Sequence, residues 1–328
     1  MPESTLSLSP LDIATFIGFL AAVVGISLYA SRKEDSSEDY FLAGRNLSWW
    51  LIGFSLIASN ISTEQLVGMA GNAYGSEGFA IAHYEWVSSL AMVFIALVLL
   101  PIFLRSGLTT MPEFLEQRYS PGVRTLMAVY TVLIYVGVLI AAVMYSGGLA
   151  NQTLFGFDIN IGIWGIGILA GLYTIYGGLK AVVWSDLLQG VALLIGGTVI
   201  VVLGLEKVGG LDQFMETNEP KMHLILPASH GHLPWTTLLL GIWIPVTYYW
   251  GLNQFITQRT LASRSLQQGQ LGLVFAAAIK IFMPFIIVFP GIIAFQLYGD
   301  QIAKPDEAFP TLVRELLPAG LRGIVFAA

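Results

Sequence analysis

The side chains that could do chemistry in this chain are few, and most of them interrupt apolar runs. Ser59-Asn60-Ile61-Ser62-Thr63-Glu64-Gln65 brings five hydroxyl or amide side chains and one carboxylate together. Glu85, Ser88 and Ser89 stand in the next apolar run, at spacings of three and four that share one helix face. Lys280 is flanked by Leu271 to Ile279 and by Ile281 to Phe289. Groups of this kind can hydrogen-bond a polar small molecule, offer oxygens to a cation, or pair with one another. An ammonium that deep in apolar sequence needs a carboxylate or a wet cavity, and Glu85 and Glu64 are the available partners. Asp186 lies about 9 Å of helix rise beyond Lys180, as a cation relay or as a solvated helix-end group. Tyr248-Tyr249-Trp250 could cover a sugar ring, but its spacing favours an interfacial belt. His230-Gly231-His232 has no further ligand nearby and reads as loop. With no cysteine, thiolate chemistry and disulfides are excluded. The glycine pairs at 147–148, 177–178 and 196–197 follow no strand, so they suit close helix packing or turns and not phosphate loops.

The elements that must hold these groups are dictated by solvent. The 328 residues are 55% hydrophobic and only 11% charged, with mean hydropathy +0.74, whereas a soluble domain carries about a quarter charged residues. The run from Leu11 to Ala30 is long enough to cross a bilayer, and no basic residue precedes it, so it reads as a retained helix and not a signal peptide. Further apolar segments cover 48–71, 78–104, 124–149, 159–177, 181–204, 235–256 and 270–298. Their length and lack of alternation exclude membrane strands. The run from Arg322 to Ala328 begins another segment, so the chain is expected to be truncated after about eight transmembrane helices. A net charge of −6, scattered along the chain, implies no nucleic-acid partner.

Arg32, Lys33 and Arg45, then Arg105, Arg118 and Arg124, then Lys180, then Arg259 and Arg264 fall in alternate loops. That asymmetry places those loops in the cytoplasm and the N-terminus outside. Trp49, Trp50, Trp235 and Trp250 sit near segment ends, as an interfacial belt would. The polar loop from Glu206 to Pro234 has room for a short surface helix. In mid-segment the 59–65 cluster is poor helix filler in lipid. The alternatives are a continuous helix bonded to its neighbours and a helix broken near Ala58 to Ser62; the density of polar groups favours the break. With its partners missing, the 270–298 segment is expected to expose a large apolar face.

Six ordered motifs then give a resemblance that covers nearly the whole chain. They are Asp39 to Arg45 (DYFLAGR), Ser59 to Gln65 (SNISTEQ), Tyr84 to Trp86 (YEW), Tyr173 to Leu179 (YTIYGGL), Val183 to Asp186 (VWSD) and Asn253 to Ala262 (NQFITQRTLA). In these the chain resembles the sodium/solute symporter family, and within it the bacterial sodium/galactose branch. The resemblance implies an all-α membrane protein with an inverted-repeat, 5+5 helix fold. Residues 1–328 would form a single transmembrane domain, with an extra N-terminal helix at 11–30, a first five-helix repeat at 48–204 and the start of a second at 235–328.

The same resemblance implies that Asn60, Gln65, Glu85, Ser88 and Lys280 face sugar hydroxyls and that Tyr249 closes beneath the sugar as an inner gate. Ala58 and Ile61 would give carbonyls to sodium, and Asp186 would lie along the sodium exit route. Leu139 and Val246 stand where the galactose relative has sugar-contacting asparagines, and the family's sodium-binding serines would fall beyond Ala328. The implied protein is no enzyme. It sits in the cell (inner) membrane, has no cofactor, and takes sodium, a sugar or similar solute and the lipid bilayer as partners. Sialic acid, inositol or an amino acid are alternative solutes. The alternative classes are a symporter-like sensor module of a larger signalling protein, and an intramembrane enzyme using Glu64 or Glu85.

Overall fold

A computed structural model describes residues 9–31, 36–156 and 158–328, without the side chains of Thr63, Glu64, Thr153, Leu154, Phe155 and Tyr173. The loop cations Arg32 and Lys33, the Glu64 carboxylate and the Tyr173 ring therefore lie outside the described residues. The described chain is helical apart from short connections. Many helices begin where a hydroxyl can take up an otherwise orphaned amide. Ser9 forms a capping box with Asp12 ahead of helix α1 (Pro10–Ala30). Ser62 and Ser265 accept from Gln65 and Gln268 in the same way.

The 48–71 segment is not one helix. It divides into α2 (Trp49–Asn60) and α3 (Thr63–Tyr74), with Ile61 and Ser62 out of helical conformation between them. The break is narrower than the sequence suggested, because Ala58 to Asn60 stay helical. Helix α4 spans Gly78–Arg105. Helix α5 runs through Pro121–Ile134, a wider π-helical turn at Tyr135–Leu139, and Ile140–Phe155. Segments 159–177 and 181–204 join as α6 (Ile159–Lys207), folded back at Gly178, whose φ of 51° and ψ of −156° suit glycine alone. The predicted surface helix is present at Leu211–Thr217. The 235–256 segment also breaks: α7 (Trp243–Gly251) stops at Leu252, and Asn253 opens α8 (Gln254–Leu261) by accepting the amides of Ile256 and Thr257. Helix α9 (Leu266–Tyr298) is followed by α10 (Ala308–Leu316) and α11 (Leu321–Ala327).

Helix ends meet on two opposite faces. On the N-terminal face, Asp12 accepts the Gly320 amide at 2.8 Å and Tyr74 donates to the Gly299 carbonyl at 3.0 Å. On the far face, Arg45 donates to the Leu108 carbonyl and Ser27 to the Ala181 carbonyl. Helix α9 lies at the centre against α2, α3 and α4. Small residues let it come close: a Cβ on Gly291 would stand 2.0 Å from the Ala70 carbonyl oxygen. Pro284, inside α9, has no amide to give the Lys280 carbonyl four residues earlier.

Helix α9 is better covered than its sequence suggested. Half of its most apolar window is buried, against none for the 121–152 helix, which exposes Leu126, Leu133 and Val136. Contact with α2, α3 and α4 is the reason. Trp49, Trp50 and Trp235 are part-exposed, but Trp250 is 2% exposed and belongs to the interior, not to an interfacial belt.

Candidate functional site

At the α2–α3 break, the Ser62 amide, which an unbroken helix would give to the Ala58 carbonyl, goes to the Asn60 carbonyl at 2.8 Å. Ser62 Oγ then accepts the Gln65 amide at 3.2 Å and starts the next helix. The negative end of one helix and the positive end of the other therefore meet inside the bundle. Asn60 closes the first and Gln65 lies in the first turn of the second, which is why both side chains project from the break.

They converge on Lys280, which is 1% exposed. Its Nζ donates to Glu85 Oε2 at 2.5 Å and to Asn60 Oδ1 at 2.5 Å, and stands 5.0 Å from the centroid of the Trp250 ring. Gln65 Nε2 donates to Glu85 Oε1 at 2.5 Å. Asn60 Nδ2 donates to Tyr249 Oη at 3.4 Å. Five elements, α2, α3, α4, α7 and α9, thus contribute one polar group each. Of the two carboxylates offered by sequence, the structure pairs Lys280 with Glu85. Ser88 is buried one turn from Glu85, but among the described residues no hydrogen bond joins it to the cluster. Ser89, on the neighbouring face, donates instead to the Ala277 carbonyl at 2.8 Å. The Gln65 Oε1 atom is buried and has no hydrogen-bond partner. A buried acceptor left in this way is costly unless a donor reaches it.

One turn back along α2 is a second polar cluster. Asp186 Oδ2 accepts Ser55 Oγ at 2.5 Å, Ser59 Oγ at 3.2 Å and Arg259 Nη2 at 2.9 Å. Arg259 Nε also donates to Ser55 Oγ at 2.6 Å. Asp186 is 8% and Arg259 5% exposed, so neither is the solvated group that its flanking sequence suggests. In sequence Arg259 reads as a loop cation, because it lies between the apolar segments 235–256 and 270–298. The available signal was Asp186 itself, a carboxylate in an apolar run that needs a cation.

Ala58, Ile61 and Ser62 line a cavity of about 550 Å³, with Gln189, Asn151 and Phe309 among its other walls. Asn60, Gln65, Glu85 and Lys280 are not in its lining. The His230 and His232 rings lie 6.4 Å apart, and among the described residues no group of three or more His, Cys, Asp or Glu could hold a metal ion.

Residues 40–328 match the model of the sodium:solute symporter family. Among curated relatives, a sodium/glucose cotransporter of Vibrio parahaemolyticus is 39% identical, over 98% of this chain and 64% of its own length. A sodium/myo-inositol cotransporter 2 of Oryctolagus cuniculus is 33% identical, over 98% of this chain and 53% of its own. The chain thus spans less than two thirds of the length of these relatives. A solved structure of a Na+-coupled sialic acid symporter, substrate-bound and outward-open, superposes with a TM-score of 0.87 at 23% identity, covering 97% of this chain and 68% of that one. The last likeness establishes a shared fold.

Proposed function

This chain belongs to the sodium:solute symporter family, and from that premise we propose that the whole protein couples sodium entry to uptake of a sugar or a similar polyhydroxylated solute. The chain is a multi-pass membrane protein, and its family and relatives are transporters. The observation that carries the solute class is the Lys280–Glu85–Gln65–Asn60 cluster with its orphaned Gln65 Oε1. A polyol hydroxyl can donate to that oxygen, whereas an apolar ligand would leave it unpaired at a cost of roughly 1–3 kcal/mol, while Lys280, Glu85 and Asn60 stay bonded to one another. Ser88 extends the same face, and Tyr249, bonded to Asn60, would close beneath the solute. Glucose, inositol and sialic acid, the solutes in the relatives' names, all present hydroxyl groups.

Sodium is read at the α2–α3 break. Carbonyl oxygens at a helix C-terminus suit a hard cation, and the Ala58 carbonyl has lost its helical donor. Ile61 lines the same cavity, and Asp186 offers a buried carboxylate toward the far face. The helices after α1 are read as belonging to two inverted five-helix repeats. Arg45, Arg105, Arg118, Arg124, Lys180 and Arg264 turn the far face to the cytoplasm, so the N-terminus is outside the inner membrane. Transport is then alternating access: sodium favours the state open on the N-terminal face, solute binds at the cluster, and one bundle rocks against the other.

The test is uptake of labelled glucose, galactose, myo-inositol and sialic acid by proteoliposomes holding the whole protein. At least one solute should accumulate under a sodium gradient and not when potassium replaces sodium. Gln65→Ala should raise its KM about tenfold, and Asp186→Asn should move the sodium dependence with little change in solute KM. Uptake indifferent to the cation would overturn the coupling, and an unchanged KM in Gln65→Ala would overturn the site.

A further inference from the structure

The segment following α6 carries a buried amide, Asn218, and a half-buried ammonium, Lys221, that neither cluster uses. At Gly209 and Gly210 the chain turns with φ of 96° and 98° into the short helix Leu211–Thr217. Phe214 is fully buried, its ring 5.1 Å from that of Phe289. Asn218, 3% exposed, donates from Nδ2 to Gln296 Oε1 at 2.7 Å. Both partners lie on the last turns of α9. Lys221 follows. Its Nζ donates to the Tyr74 carbonyl at 2.8 Å and to the Gly75 carbonyl at 2.6 Å, and lies 4.0 Å from the centroid of the Phe295 ring.

Tyr74 and Gly75 are the last residue and the cap of α3. The ammonium therefore occupies the place where that helix has orphaned carbonyls and the negative end of its dipole. Burial lowers the Lys221 pKa, and the Glu77 carboxylate pulls it back up, so the charge is held there against a desolvation cost. Backbone contact reinforces the arrangement: Gly78 has φ of 54°, and a Cβ on it would lie 2.4 Å from the Lys221 carbonyl oxygen. Helix α3 has 12 residues, about the length at which an isolated helix is marginal in water, so its position depends on what holds its ends. One end is held by Ser62 and the other by Lys221.

We propose that Lys221 is a positioning residue of transport: by capping α3 and resting on α9 it ties segment 208–222 to the helices that present Gln65 and Lys280, so that this strap and α3 move as one body when the N-terminal face opens. The proposal rests on the symporter reading for its functional consequence. Its mechanical content can be read without transport. The 328 residues contain no cysteine; spin labels at Asn72→Cys on α3 and Glu216→Cys on the strap, placed in the whole protein with any cysteine outside these residues replaced by serine, report the distance between the two bodies.

With Lys221 present, the distance distribution should stay narrow in potassium, in sodium, and in sodium with a solute mixture. Lys221→Met should add a longer population and raise solute KM about two- to fivefold, the range of a lost charge–helix-end interaction, with kcat changed less. Lys221→Arg should restore both readings. Lys221→Gln, which keeps an amide donor, supplies the same comparison if the methionine variant does not fold. A wild-type distribution in Lys221→Met, or in Lys221→Gln where that variant stands in for it, overturns the proposal, as does a loss of kcat alone that tracks the amount of folded protein. Wild-type protein that shows no sodium-driven uptake would sink the symporter reading, while the distances would still decide whether the strap and α3 are one body.

Discussion

At the scale of single residues, the energetics turn on charges taken out of water. The Lys280–Glu85 pair is 1% and 3% exposed at its side chains. Attraction inside a membrane protein offsets desolvation only while both partners are present. Removing one leaves an uncompensated buried charge, at a cost of about 3–5 kcal/mol, whereas replacing both by apolar groups is often neutral. Lys280→Met and Glu85→Leu should therefore each lower the thermal unfolding midpoint of the purified protein, and the double variant should recover most of the loss. Solute uptake should stay absent in all three, because the donors and acceptors are gone. A double variant no more stable than either single one would show that the two charges are not each other's main partner. The Arg259–Asp186 pair obeys the same rule, with Ser55 and Ser59 absorbing further lone-pair demand on the carboxylate.

At the scale of elements, polar side chains reach the interior because helices break where sequence permits. Ile61 ends one helix and the Ser62 hydroxyl caps the next; between α7 and α8 the chain turns at Leu252 and Asn253, and the Asn253 backbone carbonyl accepts the first amides of α8 with no side-chain cap. Close packing then brings the pieces within bonding distance. Gly291 sits against the Ala70 carbonyl, which is backbone and cannot rotate away. Gly291→Ala should cost about 1–3 kcal/mol of overpacking, more than the roughly 1 kcal/mol that alanine gains in helix propensity. Gly18→Ala on α1, where nothing lies within 4 Å of the added Cβ, should keep only the gain. Thermal unfolding of the two variants side by side checks this. Equal midpoints would mean that the α3–α9 approach is looser than described.

At the scale of the whole molecule, the surface is written for lipid. Helix α5 buries none of its most apolar window, and Leu126, Leu133 and Val136 on it are each more than 60% exposed, which in water would be an aggregating face. The charges separate by face: Arg105, Arg118, Arg124 and Lys180 lie on the far one, and Lys207, Lys221, Lys304 and Arg314 on the N-terminal one. The first set sits in short connections, where basic residues set orientation. Single cysteines should report this directly. Lys304→Cys should react with an impermeant maleimide in intact cells, and Arg118→Cys only after permeabilisation. The reverse pattern would invert the proposed topology and put the Lys221 strap in the cytoplasm.

Much of this was legible in the sequence, for a local reason. The cost of a polar group in lipid depends on its immediate neighbours, so composition along the chain was enough to mark the spans, the strained 59–65 stretch and the need of Lys280 for a carboxylate. Six motifs carried the family. The choice of partner was not local. Glu85 lies 195 residues from Lys280, and Asp186 lies 73 from Arg259. Arg259 reads as an ordinary loop cation, and Trp250 as an interfacial ring, because nothing beside them in sequence shows that other helices fold over them. Hydrogen bonds and ion pairs act only within a few ångströms, and which distant groups come that close is decided by how helices cross. That crossing is a property of packed surfaces, set by contacts such as Gly291 on Ala70, and it exists only once the chain has folded.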